Sequence, residues 1–347
     1  GMAAINLEMT DRVPRTEYSA SRHWKLVQEV TGIKVDENSS EKIKQKASQK
    51  FKRAWDYDFV WSILIRNQIF GEKRTKMGHA EYASGGTDYD SDINSLFNDP
   101  KEALKFDPLK EYDIPDKKEL VKKFEEHYQN NCNNNPDTVN MTGIYVTLMS
   151  GLIEIFGWEM LLECAGLDPE KFGELTNRYA SMMQYYFEAL AEAEVPVVMV
   201  HDDIVWTTGP FISPKWYREY IFPNYKKYFA PLIDSGKKIM YTSDGNYTQF
   251  IDDIVDCGVD GFVLEPLTDM KYIADNYGDT HFFVGNFDTR ILLNGTKKEI
   301  RTEVERCMNI GKDCPGFFIA VGNHIPSNTP VENAIYYNEV YEELCQR

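Results

Sequence analysis

"VPVVMVHDDIVW", Val195–Trp206, is the stretch on which the fold turns. Its first six residues are almost continuously apolar, where a strand with one wet face would alternate. The run therefore predicts a strand buried on both faces, as in a parallel sheet. It then breaks into His201, Asp202 and Asp203, so polar groups gather at the C-terminal end of the strand. "KKIMY" (Lys237–Tyr241), "DGFVLE" (Asp260–Glu265), "HFFVGN" (His281–Asn286) and "FFIAVGN" (Phe317–Asn323) repeat the pattern downstream.

Helix-like segments lie between these runs. Asp168-Pro169 supplies an N-cap and a first-turn proline, and Phe172, Leu175, Tyr179, Met182, Tyr186 and Leu190 follow at helical spacing. Ser213-Pro214 opens another helix. Thr296 with Glu299, and Thr329-Pro330 with Glu332, read as capping boxes. Strand and helix alternating in this way imply a parallel sheet. Because Asp203, Asp244, Glu265, Asn286 and Asn323 all stand at strand ends, the expected architecture is the closed (β/α)8 TIM barrel, which gathers function at its C-terminal face.

The chain is expected to form one domain over 1–347, with clear repeats in 139–347. The β-branched run "VNMTGIYVTLM" (139–149) begins them. Residues 1–138 are less regular and are expected to hold extra N-terminal helices, first strands and lid loops. Tyr57–Ile65 is a candidate early barrel strand, and the polar, Gly-rich Met77–Ser95 a loop near the mouth. The Lys-rich run Lys42–Lys52 reads as a solvated helix face.

Composition excludes several function classes. The formal charge of -17 repels nucleic acid phosphates and anionic membrane surfaces. The opening "GMAAINLEMTDRVPR" has no charged-then-apolar leader pattern, and no later run is long and apolar enough to span a bilayer. The six cysteines are scattered without a C-x-x-C pair, which speaks against a disulfide framework and for a cytoplasmic setting. The aromatic-rich segment Trp216–Phe229 is either core or a homodimer face.

The chemistry centres on "YTSDGN", Tyr241–Asn246, where an apolar strand ends in a glycine turn carrying Asp244. Asp244 there is either a reactive carboxylate or the N-cap of the helix that begins near Asn246. Among other carboxylates its proton affinity rises, which suits acid catalysis. Asp203, Glu265 and His324 stand at strand ends facing the same mouth. Three carboxylates and an imidazole suit a divalent cation of oxygen preference, or zinc with fewer sulfurs. His324 is equally readable as a hydrogen-bonded structural histidine.

Three motifs, the run from His201 to Asn246, "GNFDT" (Gly285–Thr289) and "GNHIPSNTPVENA" (Gly322–Ala334), resemble the uroporphyrinogen decarboxylase superfamily. The resemblance is good over about residues 139 to 345 and weak before them. It implies a (β/α)8 barrel and one of two activities: decarboxylation of a tetrapyrrole, or zinc-dependent methyl transfer with a corrinoid protein. The methyltransferase pattern His-x-Cys-Gly-Asn lines up with Thr242-Ser243-Asp244-Gly245-Asn246, and its later Cys falls on Asn323, so the usual zinc donors are missing. The arginine-rich N-terminal stretch of the decarboxylases is also missing from "DRVPRTEYSASRHW", and Asp58 in "WDYDFVW" matches their catalytic aspartate only loosely.

The "DRVPR" opening, the "KMGHAEY" loop and the Gly-Asn turn favour the methyltransferase branch. This implies a methyltransferase of one-carbon metabolism, working with a corrinoid protein and a small methylated substrate. A tetrapyrrole decarboxylase and a non-catalytic binding barrel remain alternatives. The expected catalytic residues are Asp244, His324 and Asp203. Asn323, Glu265, Asn286, Asp288, Thr242 and His79 are expected to bind substrate, and Asp244, His324 and Glu265 to hold any metal.

Overall fold

The computed structural model describes residues 1–75, the backbone pairing of 81–82 with 88–89, and 95–347. His79 and most of the expected lid, Met77–Ser95, lie outside the described residues. Six parallel strands form the main sheet: β1 (Thr142–Ile144), β2 (Val197–His201), β3 (Lys238–Thr242), β4 (Gly261–Val263), β5 (Phe282–Phe287) and β6 (Phe317–Val321). Each is hydrogen-bonded to the next in chain order. All five runs read as strands in the sequence are therefore strands.

Two short segments close the sheet into a ring. Ile65 makes a parallel bridge to Ile144 beside β1, and Arg15 makes a parallel bridge to Ile319 in β6. Between them, the Asp58 N–H donates to the Arg15 carbonyl at 2.9 Å, and Phe59–Val60 pairs with Val139–Asn140. Residues 14–16 and 58–65 thus supply the two missing strands of a (β/α)8 barrel. The barrel strand expected within Tyr57–Ile65 is present as Phe59–Val60 and the Ile65 bridge, whereas the strand at "VPRTE" was not legible.

The barrel interior is a packed core. Phe59, Met141, Val197, Met199, Met240, Phe282, Val284, Phe318 and Ala320 form one buried cluster, separate from the larger cluster between strands and helices. Ala4 and Ile5, in the short helix Met2–Ile5, join it and plug its N-terminal end. Side chains alternate along a strand. The inward row Val197, Met199 therefore continues to His201 and Asp203, and the row from Met240 to Thr242 and Asp244. Asp202 falls on the opposite face.

Some local expectations are corrected and others hold. The run 139–149 is strand only to Ile144, and a helix begins at Met149. Thr296 and Glu299 form a complete capping box, but Pro330 is the N-cap of helix Val331–Leu344 and no side chain caps it. Trp216, Tyr217, Phe222, Tyr225, Tyr228 and Phe229 are buried, so that aromatic segment is core. Lys42–Lys52 lies in helix Glu41–Ala54, which buries only Ala47 and Phe51. Among the described residues, no helix is long and apolar enough to cross a membrane.

Candidate active site at the barrel mouth

The adjacent strands β2 and β3 bring together His201, Asp203 and Asp244. Donor atoms of the three lie within 4.8 Å of one another, a grouping of metal-binding side chains found at no other place among the described residues. His201 Nε2 stands 3.2 Å from Asp203 Oδ1, and its Nδ1 lies 3.2 Å from the Tyr145 carbonyl. The Tyr145 ring stacks on the imidazole at 3.8 Å and 7°. Asp203 Oδ1 also accepts the Asp244 N–H at 2.9 Å, and the Asp203 N–H donates to Ser150 Oγ at 2.7 Å.

Burial pulls the His201 pKa down. The charge of Asp203, its hydrogen bond, the charge of Asp244 and the Tyr145 carbonyl outweigh burial and lift it to about 9. His201 was missed as a site residue, although period-two alternation from Asp203 already placed it on the same face. Asp202, between them, does a different job. Fully buried, it accepts the backbone N–H groups of Leu148, Met149 and Ser150 at 3.2, 3.1 and 2.7 Å, and the Tyr225 hydroxyl at 2.5 Å. Burial pushes its carboxyl up, against the pull of those donors.

Asp244 is not a helix cap. The 3-10 turn Thr248–Phe250 follows it, and Asn246 Oδ1 accepts the Thr248 N–H at 3.2 Å. Gly245, with φ +80°, leaves room for the Trp206 carbonyl, which would lie 2.6 Å from any Cβ. Glu265 holds this turn. One of its oxygens accepts the Gly245 N–H at 2.6 Å, and the other accepts the Asn323 side-chain amide. Asn323 in turn accepts the His324 N–H at 2.7 Å.

The remaining expected residues are distributed as follows. His324 packs its ring edge-on to Tyr18 at 4.5 Å, and neither it nor Glu265 joins the His201 group. Among the described residues the grouping that could hold an ion is Asp244 with His201 and Asp203, and the expected set Asp244, His324 and Glu265 does not form one. Asn286 donates to the Glu265 and Thr268 carbonyls and accepts from Arg306, so it braces the loop after β4. Asp288 caps helix Thr289–Asn294 and pairs with Arg290; that pairing outweighs burial and holds its carboxyl below the usual range. Thr242 faces His201 across the β2–β3 pairing, and among the described residues its buried hydroxyl has no hydrogen-bond partner.

Asp58 stands at the start of its strand, at the barrel end away from His201. There it is bonded by Arg12 at 2.9 Å and by the Arg15 N–H at 2.8 Å. It is a structural carboxylate, not a catalytic one.

Comparison with known proteins places this chain in a family. The uroporphyrinogen decarboxylase (URO-D) profile matches residues 88–344. The chain belongs to the uroporphyrinogen decarboxylase family. It is 28% identical over 209 residues to the uroporphyrinogen decarboxylase of Carboxydothermus hydrogenoformans, covering 59% of this chain and 58% of that one. An enzyme of the same name from Thermus thermophilus is 27% identical over 210 residues, covering 60% of each chain. The chain thus matches less than two thirds of the length of either relative. A solved methyltransferase from Methanosarcina mazei is similar in fold across the family barrel, with a TM-score of 0.62 at 18% identity, covering 98% of this chain and 96% of that one.

Proposed function

We propose that this family member transfers a methyl group between a small methylated substrate and a corrinoid carried by a partner protein, at the His201–Asp203–Asp244 group. The observation that supports this over tetrapyrrole decarboxylation is the charge of the mouth. The ends of β2, β3 and β4 present three carboxylates, Asp203, Asp244 and Glu265, against the guanidinium of Arg66, which lies 5.9 Å from the Tyr145 ring, and Arg290 is engaged by Asp288. A cleft for a polycarboxylate tetrapyrrole needs several cations to offset desolvation of its carboxylates.

The chemistry asked of the chain is acid catalysis. When a methyl group leaves its donor atom, that atom keeps the bonding pair and must receive a proton or meet a cation. His201 is placed to deliver the proton from Nε2, because the Tyr145 carbonyl takes the Nδ1 hydrogen. Asp203 and Asp244 keep the imidazole charged, and Glu265 with Asn323 fixes the turn that carries Asp244. The corrinoid, when presented by its partner, supplies the nucleophile for the methyl carbon. The zinc site of the methyltransferase branch does not fit here. Thr242 and Asp244 offer oxygen only, and the Asn323 amide is turned to Glu265.

The test uses free cob(I)alamin as acceptor and a panel of methylamines, methyl thioethers and methyl ethers as donors. Loss of cob(I)alamin absorbance with one donor class, slowed about 100-fold or more in His201→Gln, is the expected result. Release of carbon dioxide from uroporphyrinogen with no methyl transfer would establish the decarboxylase reading. Binding of tetrapyrrole without either reaction would establish a non-catalytic barrel.

A further inference from the structure

We infer that His201, Asp203 and Asp244 hold a divalent first-row transition ion, in a site that shares only the Asp244 position with the zinc motif of the methyltransferase branch and takes its other two donors from the end of β2. This goes beyond the methyl-transfer reading, since ion binding is measured without turnover. The donor set is one imidazole and two carboxylates, with ligand atoms within 4.8 Å of one another. One ion with bonds of about 2.0–2.2 Å spans donors up to about 4.4 Å apart, so the His201–Asp203 pair at 3.2 Å fits as it stands, and any wider pair within the 4.8 Å limit closes by a few tenths of an ångström on binding. With a neutral imidazole the trio carries two negative charges, which a divalent ion balances. Nε2 of His201 then carries a proton in the ion-free protein and the ion in the loaded one, where the cation would take the place of the His201 proton in meeting the departing donor atom.

Three further features point the same way. Metal-binding histidines characteristically give their other ring N–H to a carbonyl or carboxylate, which fixes the tautomer. His201 does this through Nδ1 to the Tyr145 carbonyl, so Nε2 is the atom turned to the carboxylates. The ring cannot swing, because Tyr145 covers its face at 3.8 Å. The Asp203 carboxylate is also fixed, by the Asp244 N–H at 2.9 Å, and its own backbone by Ser150 at 2.7 Å.

The third feature is Thr242. Its residue is 8% exposed, and its hydroxyl is buried with no partner among the described residues. It lies on the same inward row as Asp244 and opposite His201 in the β2–β3 register. A buried hydroxyl without a partner is unfavourable. An ion, or water held by the ion, relieves that cost at this spot. Oxygen-rich donors with one nitrogen favour manganese, iron or cobalt over a thiolate-type zinc centre.

The test uses the full chain freed of metal by chelator. Manganese is titrated by calorimetry and by the loss of its free-ion paramagnetic signal, and cobalt is read by its visible absorption. The expected result is one ion per chain, weakened at least about 10-fold in Asp244→Asn, Asp203→Asn and His201→Gln. His324→Gln, which removes an expected donor outside the trio, leaves that affinity unchanged. Thr242→Val weakens it a few-fold without unfolding the chain. Absence of stoichiometric binding of manganese and cobalt by the parent overturns the inference. So does binding that survives all three trio substitutions, or that is lost only with His324 while circular dichroism reports folded protein.

Discussion

Replacing Asp202 by Ala separates the two jobs carried by His201-Asp202-Asp203. The carboxylate is fully buried and satisfies three backbone N–H groups at the start of helix Met149–Leu167, together with the Tyr225 hydroxyl. These N–H groups belong to the first turn, which has no intrahelical acceptors. Leu148, Met149 and Ser150 are themselves buried, so solvent does not replace the lost acceptor at no cost. Each buried donor left unpaired costs about 1–3 kcal/mol. Water entering the vacated space recovers part of this, and Asp202→Ala is expected to lose about 3–5 kcal/mol, a large share of a typical domain's stability. Asp202→Asn keeps one acceptor oxygen and sheds the desolvation of a charge, so it is expected to lose about 2 kcal/mol. Urea unfolding followed by far-ultraviolet circular dichroism reads both. An Asp202→Ala protein within about 1 kcal/mol of the parent would refute the capping argument.

Other perturbations test other links. Gly245→Ala forces a Cβ against the Trp206 carbonyl at a φ of +80°, and is expected to cost about 1–3 kcal/mol in the same unfolding assay. Glu17→Ala leaves Arg15 buried without its carboxylate partner at the seam where the barrel closes. A loss of about 3–5 kcal/mol is expected, and Arg15→Met with Glu17→Leu should be milder. His201 has a folded-state pKa of about 9 against an ordinary 6.5. The stability it contributes is therefore fully present below about pH 6.5 and lost as pH rises through about 9, a change of about 3 kcal/mol in chelator-treated protein. Asp203→Asn should flatten that slope.

The apolar runs that end in polar residues made β2 to β6 legible, because burial on both faces leaves an unbroken mark in sequence. The strand at residues 14–16 was hidden for the opposite reason. Pro14 and Thr16 flank Arg15, whose charge reads as surface but is buried against Glu17, Trp55 and Tyr341. A charge pair satisfied across 2 residues leaves no hydrophobic periodicity to detect. At the site, Asp203 and Asp244 were legible as strand-end carboxylates. His201 was passed over for His324 because the choice depends on which strand ends lie side by side, and β2 and β3 are neighbours whose register sets His201 against Thr242. Asp288 and Asn286 have the same strand-end position as Asp244, yet serve a helix cap and a loop brace. Residue type at a strand end does not reveal which partner the side chain finds.

The measurement closest to the central claim is the protonation state of His201 in chelator-treated protein, read from the ring nitrogen shifts by NMR and assigned with His201→Gln. If Asp203 and Asp244 converge on the imidazole, both ring nitrogens carry hydrogen at about pH 8, the ring titrates at about 9, and Asp203→Asn returns it toward or below its ordinary range. A His201 already neutral at about pH 7, or one whose titration is unmoved by Asp203→Asn, would contradict a site built on these three residues.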